Sequence, residues 1–414
     1  MVRKRSHKLT ILTLALVILI DSLTLGLVIP IFAALFNDPH GIVPIATSQS
    51  QRNFMFSMVV SLPMFAMLFG APILGELSDR WGRKAVLIVS LTGVFLSCLA
   101  SVLSFYVGSI LILFISRVFV GLMDSSQAIA QAAIIDISQP DEKVKNMSLI
   151  TIAGALGWII GPVIGGFLAD PKICSWFSYD TPFWAAAILA LVNLIALQYF
   201  FQETRMGTQH IAHSWLKIFS KLFDGFADRR IILLSLGFGA LQFAWAGVYQ
   251  VTNLLLAHKF QYGAAQLGIY STYIALVFMI FIVAILPLFL RFWSLIIAAR
   301  IGLLLAMLSC LLFAIWQNNE VVIWLALIPG IFGMGMSYNT ILALYSNAVT
   351  AGEQGKVMGV STGIVALAWL LSGLYIGNIA AISYTLTFAG QALITGLGFL
   401  VLLFYRAPVN EHSN

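Results

Sequence analysis

Charge is what this sequence has least of. Of 414 residues only 9% are Asp, Glu, Lys or Arg, while 60% are hydrophobic, and the mean hydropathy is +0.98. Such a chain is not a water-soluble globule, because lipid rather than water must meet its apolar surface. Cysteine is nearly absent as well: Cys98, Cys174 and Cys310 lie far apart, so neither a disulfide framework nor a metal-ligand spacing exists. The six histidines (His7, His40, His210, His213, His258, His412) all fall in stretches read as loops or tails. No imidazole is thus left at depth for haem or metal, which argues against a membrane redox enzyme. HExxH and nucleophile motifs with partners are missing, as is a repeated pore-lining ring, and these absences argue against a membrane hydrolase and a channel.

What is there is a series of apolar runs of spanning length. The first, from about Leu9 to Phe36, is longer than the apolar region of a secretory signal and contains Asp21 and Pro30, so it reads as a membrane span. Others follow at about 53–75, 86–104, 109–135, 147–168 and 183–201, and, after a polar stretch, at about 230–256, 266–290, 295–316, 321–347, 357–379 and 385–405. The expectation is an all-α membrane protein of twelve spans in two six-helix bundles, residues 1–203 and 230–414, joined by a linker at 204–229. In the linker, Trp215, Ile218, Phe219, Leu222, Phe223 and Phe226 recur at helical spacing. This predicts an amphipathic helix on the membrane surface, the alternative being a disordered tether.

The basic residues then give orientation. With the N-terminus inside, eighteen of the 22 Lys and Arg fall in inner segments, three (Arg52, Lys172, Lys259) in outer ones, and Arg117 lies within a span. This positive-inside bias puts both termini in the cytoplasm and accounts for the net charge of +6 without a nucleic-acid partner.

Few ionisable groups remain at depth: Asp21 in span one, Arg117 and Asp124 in span four, and Asp136 near that span's inner end. Each costs several kcal/mol unless paired or wet, so these are functional candidates. Asp21 lies about 12 residues from the inner end of its helix, roughly 18 Å, near mid-membrane. Arg117 and Asp124 are two helical turns apart, and Gln127 and Gln131 extend the same face into a polar stripe. Asp21 and Asp124 read as proton-exchanging carboxylates, with Arg117 opposing the effect of their desolvation in one conformation. The alternative is a static Asp21–Arg117 pair that holds two helices in register. The second half has no carboxylate at depth. It offers Gln242, Trp245, Tyr249 and Gln250 in span seven and Tyr338 and Asn339 in span ten, aromatic and amide groups suited to an amphipathic organic substrate or, equally, to helix packing.

Between spans two and three stands Gly75-Glu-Leu-Ser-Asp79-Arg80-Trp-Gly82-Arg83-Lys84. Glycines permit a tight turn and close helix approach, Asp79 suits a helix N-terminus, and the cations can reach partners on a neighbouring bundle, so the stretch reads as a conformational latch. It resembles the signature of the major facilitator superfamily. Gly157, Gly161, Pro162, Gly165 and Gly166 of span five are similar to the antiporter motif of that superfamily, in which small residues allow close packing and the proline bends the helix. Arg117 with Gly121 resembles its span-four motif, whose arginine is implicated in proton coupling. Together with Asp21 to Pro30 and the Gln202-Glu-Thr end of span six, these resemble the tetracycline/proton antiporters over residues 9–204. The chain departs from them at Ser97, where they carry an acidic residue, and at Asp124, where they carry a small one. It also departs in the second half, where their histidine and acid meet apolar positions.

The resemblance implies the major facilitator fold and a bacterial inner-membrane exporter of an amphipathic small molecule. It would be monomeric, without metal or other cofactor, and driven by proton antiport through alternating access. A siderophore or metabolite carrier of the same superfamily, exporting or importing, is the alternative.

Overall fold

The computed structural model describes residues 2–39, 41–139, 142–204, 231–350 and 354–405. The expected linker helix lies outside these. All regular structure among the described residues is helical, and twelve helices are long and apolar enough to cross a membrane. The spans are Leu9–Asn37, Gln49–Trp81, Arg83–Val107, Ile110–Ile137, Lys145–Leu168 and Thr181–Phe200, then Ile232–Lys259, Ala264–Phe292, Leu295–Trp316, Glu320–Asn347, Val357–Ile379 and Tyr384–Leu403. Helices are the solution because each satisfies its backbone within one segment where no water can do so. Leu12, Ile115, Ile188 and Leu393 are among the large apolar side chains left exposed on their surfaces, as a lipid-facing wall requires.

Three spans are not continuous α-helices. Span one breaks after Val28 and resumes at Ile31, where Pro30 lacks an amide proton. Span four breaks between Met123 and Ser126, at Asp124 and Ser125. Span eight changes to a π-helical turn at Phe281–Ile285 ahead of Pro287.

Packing divides the chain into two units. The first comprises the described residues of Met1–Ser48, Met58–Ala212 and Leu256–Ala275, and the second those of Gln49–Ser57, His213–Leu255 and Leu276–Asn414. The first unit therefore contains the beginning of span eight, and the second the beginning of span two. In the first, Leu14, Val17, Leu74, Leu87, Ile134 and Leu197 belong to one buried cluster. In the second, Leu234, Phe238, Leu303, Ile341, Val360 and Leu402 do the same.

Both units tie neighbouring spans with serine. Ser97 Oγ donates to the Ser116 carbonyl at 2.6 Å between spans three and four, and Ser309 Oγ donates to the Ala326 carbonyl at 2.6 Å between spans nine and ten. Small residues bring the second pair close: a Cβ on Gly333 would lie 2.6 Å from the Ala306 nitrogen and against the Gly302 carbonyl. Because the obstacle is backbone, Gly333→Val is expected to cost about 1–3 kcal/mol or more by overpacking. The check is a lower melting temperature and a smaller folded peak on detergent size exclusion.

Candidate functional site

At the basic end of the first unit, the loop between spans two and three is a hydrogen-bonded knot. Gly82 holds φ +93°, a backbone that favours glycine, and its Cβ would strike the Glu203 carboxylate. Glu203, just beyond span six, accepts from the Arg83 amide at 2.9 Å and the Lys84 amide at 3.0 Å, and so caps the first turn of span three. Arg83 is buried. Its guanidinium binds Asp79 at 2.8 Å, Asp136 at 2.9 Å and Ser78 Oγ at 2.6 Å. Arg80 pairs with Glu76, and Lys84 Nζ donates to the Gln198 carbonyl at 2.8 Å.

Two expectations are corrected here. Asp79 lies in the last turn of span two, not at a helix N-terminus, and the capping acid is Glu203. Gly75 has open space where a Cβ would be, so close approach explains Gly82 but not Gly75.

The glycines of span five form a seam with span one. A Cβ on Gly157 would lie 2.7 Å from the Leu23 nitrogen, and one on Gly161 2.9 Å from the Leu23 carbonyl and the Gly26 Cα. A Cβ on Gly165 would collide with the Leu27 carbonyl. The next glycine serves another neighbour: Gly166 abuts the Ala264 carbonyl, and the Pro162 carbonyl abuts Gly268. Thr272 Oγ1 also donates to the Ile159 carbonyl at 2.7 Å, one turn before the proline. The small residues are thus used against two helices at once.

The seam holds Asp21 in place, since Ser22 and Leu23 belong to it. Asp21 is 6% exposed, and Ser126 Oγ donates to its carboxylate. Ser126 begins the second segment of span four, immediately after the break at Asp124, whose amide still bonds back to the Val120 carbonyl at 2.8 Å. Asp124, half-buried, stands at that break two residues before the hydroxyl that bonds Asp21. A helix break thus brings two acids and a hydroxyl together.

Arg117 does not join them. It is 5% exposed, its Nη2 donates to Ser101 Oγ at 2.7 Å, and its guanidinium lies 5.4 Å from the Phe183 ring centroid and 5.8 Å from that of Phe32. Its Nε is buried without a hydrogen-bond partner, and among the described residues it forms no ion pair. The static Asp21–Arg117 pair is therefore absent. The expected stripe is also divided: Arg117 is buried, Gln127 is exposed and Gln131 is half-buried, because the break at Asp124 resets the helical register.

In the second unit, Trp245 and Tyr338 pack against one hydrophobic cluster, Tyr338 lying 5.6 Å from Phe238. Tyr249 faces Trp369 at 6.2 Å. Asn339 Nδ2 donates to the Gly335 carbonyl of its own helix, while Gln242 and Gln250 are buried. Trp245, Tyr249, Tyr338 and Asn339 are half-buried.

Sequence reasoning missed Ser126 and the cap at Glu203. A hydroxyl two residues beyond a buried acid is the only local signal for the first, and nothing local signals the second.

Twelve apolar spans with a basic loop knot and a buried carboxylate at Asp21 mark a polytopic membrane protein. The sequence matches the Major Facilitator Superfamily over residues 14–373, and the chain belongs to that family. It is 24% identical over 361 residues to the class H tetracycline resistance protein of Pasteurella multocida, covering 84% of each chain. It is 31% identical over 193 residues to the class B tetracycline resistance protein of Escherichia coli, covering 46% of this chain and 44% of that one. Multidrug resistance protein 1 of Bacillus subtilis (strain 168) is 26% identical over 412 residues, 98% of each. Among solved structures, the human organic anion transporter MFSD10 (TETRAN) superposes with TM-score 0.70 at 20% identity, covering 96% of this chain and 99% of that one. The similarity is to transporters of the drug:proton antiporter type.

Two outcomes test the geometry. Glu203→Ala is expected to lower stability by about 1 kcal/mol through loss of the cap, and Glu203→Gln, which keeps its acceptor oxygen, by less. Thermal melts in detergent rank the two. Gly161→Val is expected to cost about 1–3 kcal/mol or more, since the seam is backbone against backbone. A melting temperature equal to that of the unsubstituted protein would show that the helices can separate.

Proposed function

We propose that the protein exports amphipathic small molecules in exchange for protons by alternating access, from an inner membrane in which the basic end and both termini are cytoplasmic. The observation that carries this reading is the Asp21 carboxylate bonded by Ser126 at the break in span four that Asp124 marks, neither acid forming an ion pair among the described residues.

Protonation changes what this group can do. Ionised Asp21 only accepts, and Ser126 donates to it. Once protonated, Asp21 keeps one accepting oxygen and also donates, so the Ser126 hydroxyl can become the acceptor of that hydrogen bond instead of its donor. Ser126 is the first helical residue after the break, and a change there acts on the inner segment of span four, whose far end carries Asp136 on Arg83. Two carboxylates near one another also take up protons as a coupled pair rather than independently. Proton binding is in this way linked to the loop knot through a single helix segment.

Neutral aromatics and amides in the second half favour cargo that needs no fixed ionic partner. The names of the tetracycline and multidrug resistance relatives agree with efflux. The changed acids at Ser97 and Asp124 favour a cargo other than metal-chelated tetracycline.

The experiment is accumulation of a panel of labelled drugs and siderophores in everted membrane vesicles, with and without an imposed pH gradient. Gradient-dependent uptake of at least one amphipathic drug is expected. Asp21→Asn and Asp124→Asn are each expected to reduce it to the rate seen without a gradient, while exchange of cargo down its own gradient persists. Gradient-driven uptake that survives in both variants would exclude the carboxylate mechanism.

A further inference from the structure

The second unit contains an apolar groove of about 520 Å³ between spans seven, eleven and twelve. Leu236 and Phe243 line one wall, Leu367 and Leu371 the second, Leu397 and Val401 the third. Leu236, Leu371 and Leu397 are each more than half exposed, so the groove opens on the surface of the unit. Its sole polar side chain, Ser235, accepts the Tyr345 hydroxyl proton at 2.9 Å and is thereby engaged. The floor is small: a Cβ on Gly398 would lie 2.5 Å from that of Ala240, while one on Gly239 would meet only Ile364 Cγ2, at 3.5 Å.

The groove has a cause in the sequence. In the first unit, Gly157, Gly161 and Gly165 draw span five onto span one. Span eleven instead lines the groove with the larger side chains of Leu367 and Leu371.

Position and charge identify the occupant. From Ile232 to Phe243 the groove follows twelve residues of span seven, about 17 Å at the helical rise, close to the roughly 15 Å of hydrocarbon in one leaflet. At its basic end, beside Val401, Arg300 anchors the end of span twelve: Nε and Nη2 donate to the Leu402 carbonyl at 3.1 and 2.9 Å, and Nη2 also reaches those of Leu403 and Tyr405. The guanidinium is only half-buried, and Nη1 lies outside these bonds. A fixed cation at the end of a leaflet-long alkyl groove complements a phosphate headgroup followed by an acyl chain.

We infer that this groove is a specific site for one anionic phospholipid, its acyl chain along spans seven, eleven and twelve and its phosphate at Arg300. That the leaflet is the cytoplasmic one rests on the orientation proposed above, but the binding itself does not. A bound lipid here fills space that the helices cannot close, and so supports the second bundle without freezing it as a glycine seam would.

The test is native mass spectrometry of the full-length protein equilibrated in detergent with an equimolar mixture of phosphatidylglycerol and phosphatidylethanolamine. Retention of one phosphatidylglycerol in preference to phosphatidylethanolamine is expected. Arg300→Gln should reduce that preference roughly fivefold, the worth of one interfacial charge. Gly239→Leu and Ala368→Phe, which fill the groove, should each reduce retention about tenfold or more. Melting curves confirm which variants fold, and either one suffices. Unchanged retention in a folded, filled variant overturns the proposal, as does a wild-type protein that retains no lipid. Loss of Nile red binding in the filled variants with lipid retention intact would also overturn it, by making the groove a cargo site. Failure of proton-driven transport would leave the lipid result untouched, so the two readings fail separately.

Discussion

Hydrocarbon tolerates almost no charge, and the rest of this structure follows from that constraint. Apolar spans need no individual explanation, because helix formation satisfies their backbone and lipid accepts their side chains. The few ionised groups that persist at depth each need one. Asp21 is met by a hydroxyl, Asp124 sits where the helix has already opened, and Arg117 rests on two aromatic faces and a serine. None of these arrangements neutralises its charge with an opposite one. A paired acid and base would be cheaper to bury and would also be inert. Acids kept apart from the cation retain a reason to exchange protons.

Charge at the basic end obeys a different economy. There the acids and bases are densely paired, with Arg83 holding Asp79, Asp136 and Ser78 and Glu203 capping the next helix. The ends of spans two, three, four and six meet in this knot. Water is near, so the individual pairs are weak. Their value is geometric: Asp136 joins the second segment of span four to the loop, and the same segment begins at Ser126 against Asp21. One short helix therefore meets Asp21 at one end and the loop knot at the other.

Most of the architecture was legible in the sequence because hydropathy reports the solvent that each segment meets. The ninth span matched its expected bounds, and most others moved by only a few residues. Local pattern could not show where chain-distant groups meet. The Glu203 cap joins residues separated by 120 positions in sequence, and nothing near Glu203 announces it. The polar stripe failed for a related reason. A face extrapolated from Arg117 to Gln131 assumes an unbroken helix, and Asp124, the residue of greatest interest, is where that assumption ends. Gly82 was readable because positive φ is a local demand, whereas Gly75 satisfies no local demand that the structure reveals.

The two halves share a plan but apply it differently. Serines tie spans three to four and nine to ten with matching 2.6 Å bonds, a repeat preserved where packing is generic. The halves diverge at the spans that face span one and span seven. Glycine on span five lets backbone meet backbone, which fixes Asp21 to within the tolerance of a steric contact. Leucine on span eleven leaves a groove instead. A rigid seam suits the half that holds carboxylates, because steric contact keeps Asp21 in register with the break in span four. A half that carries only neutral amides and aromatics at depth is under no such demand, and its looser packing is the expected physical consequence of having no charge to position.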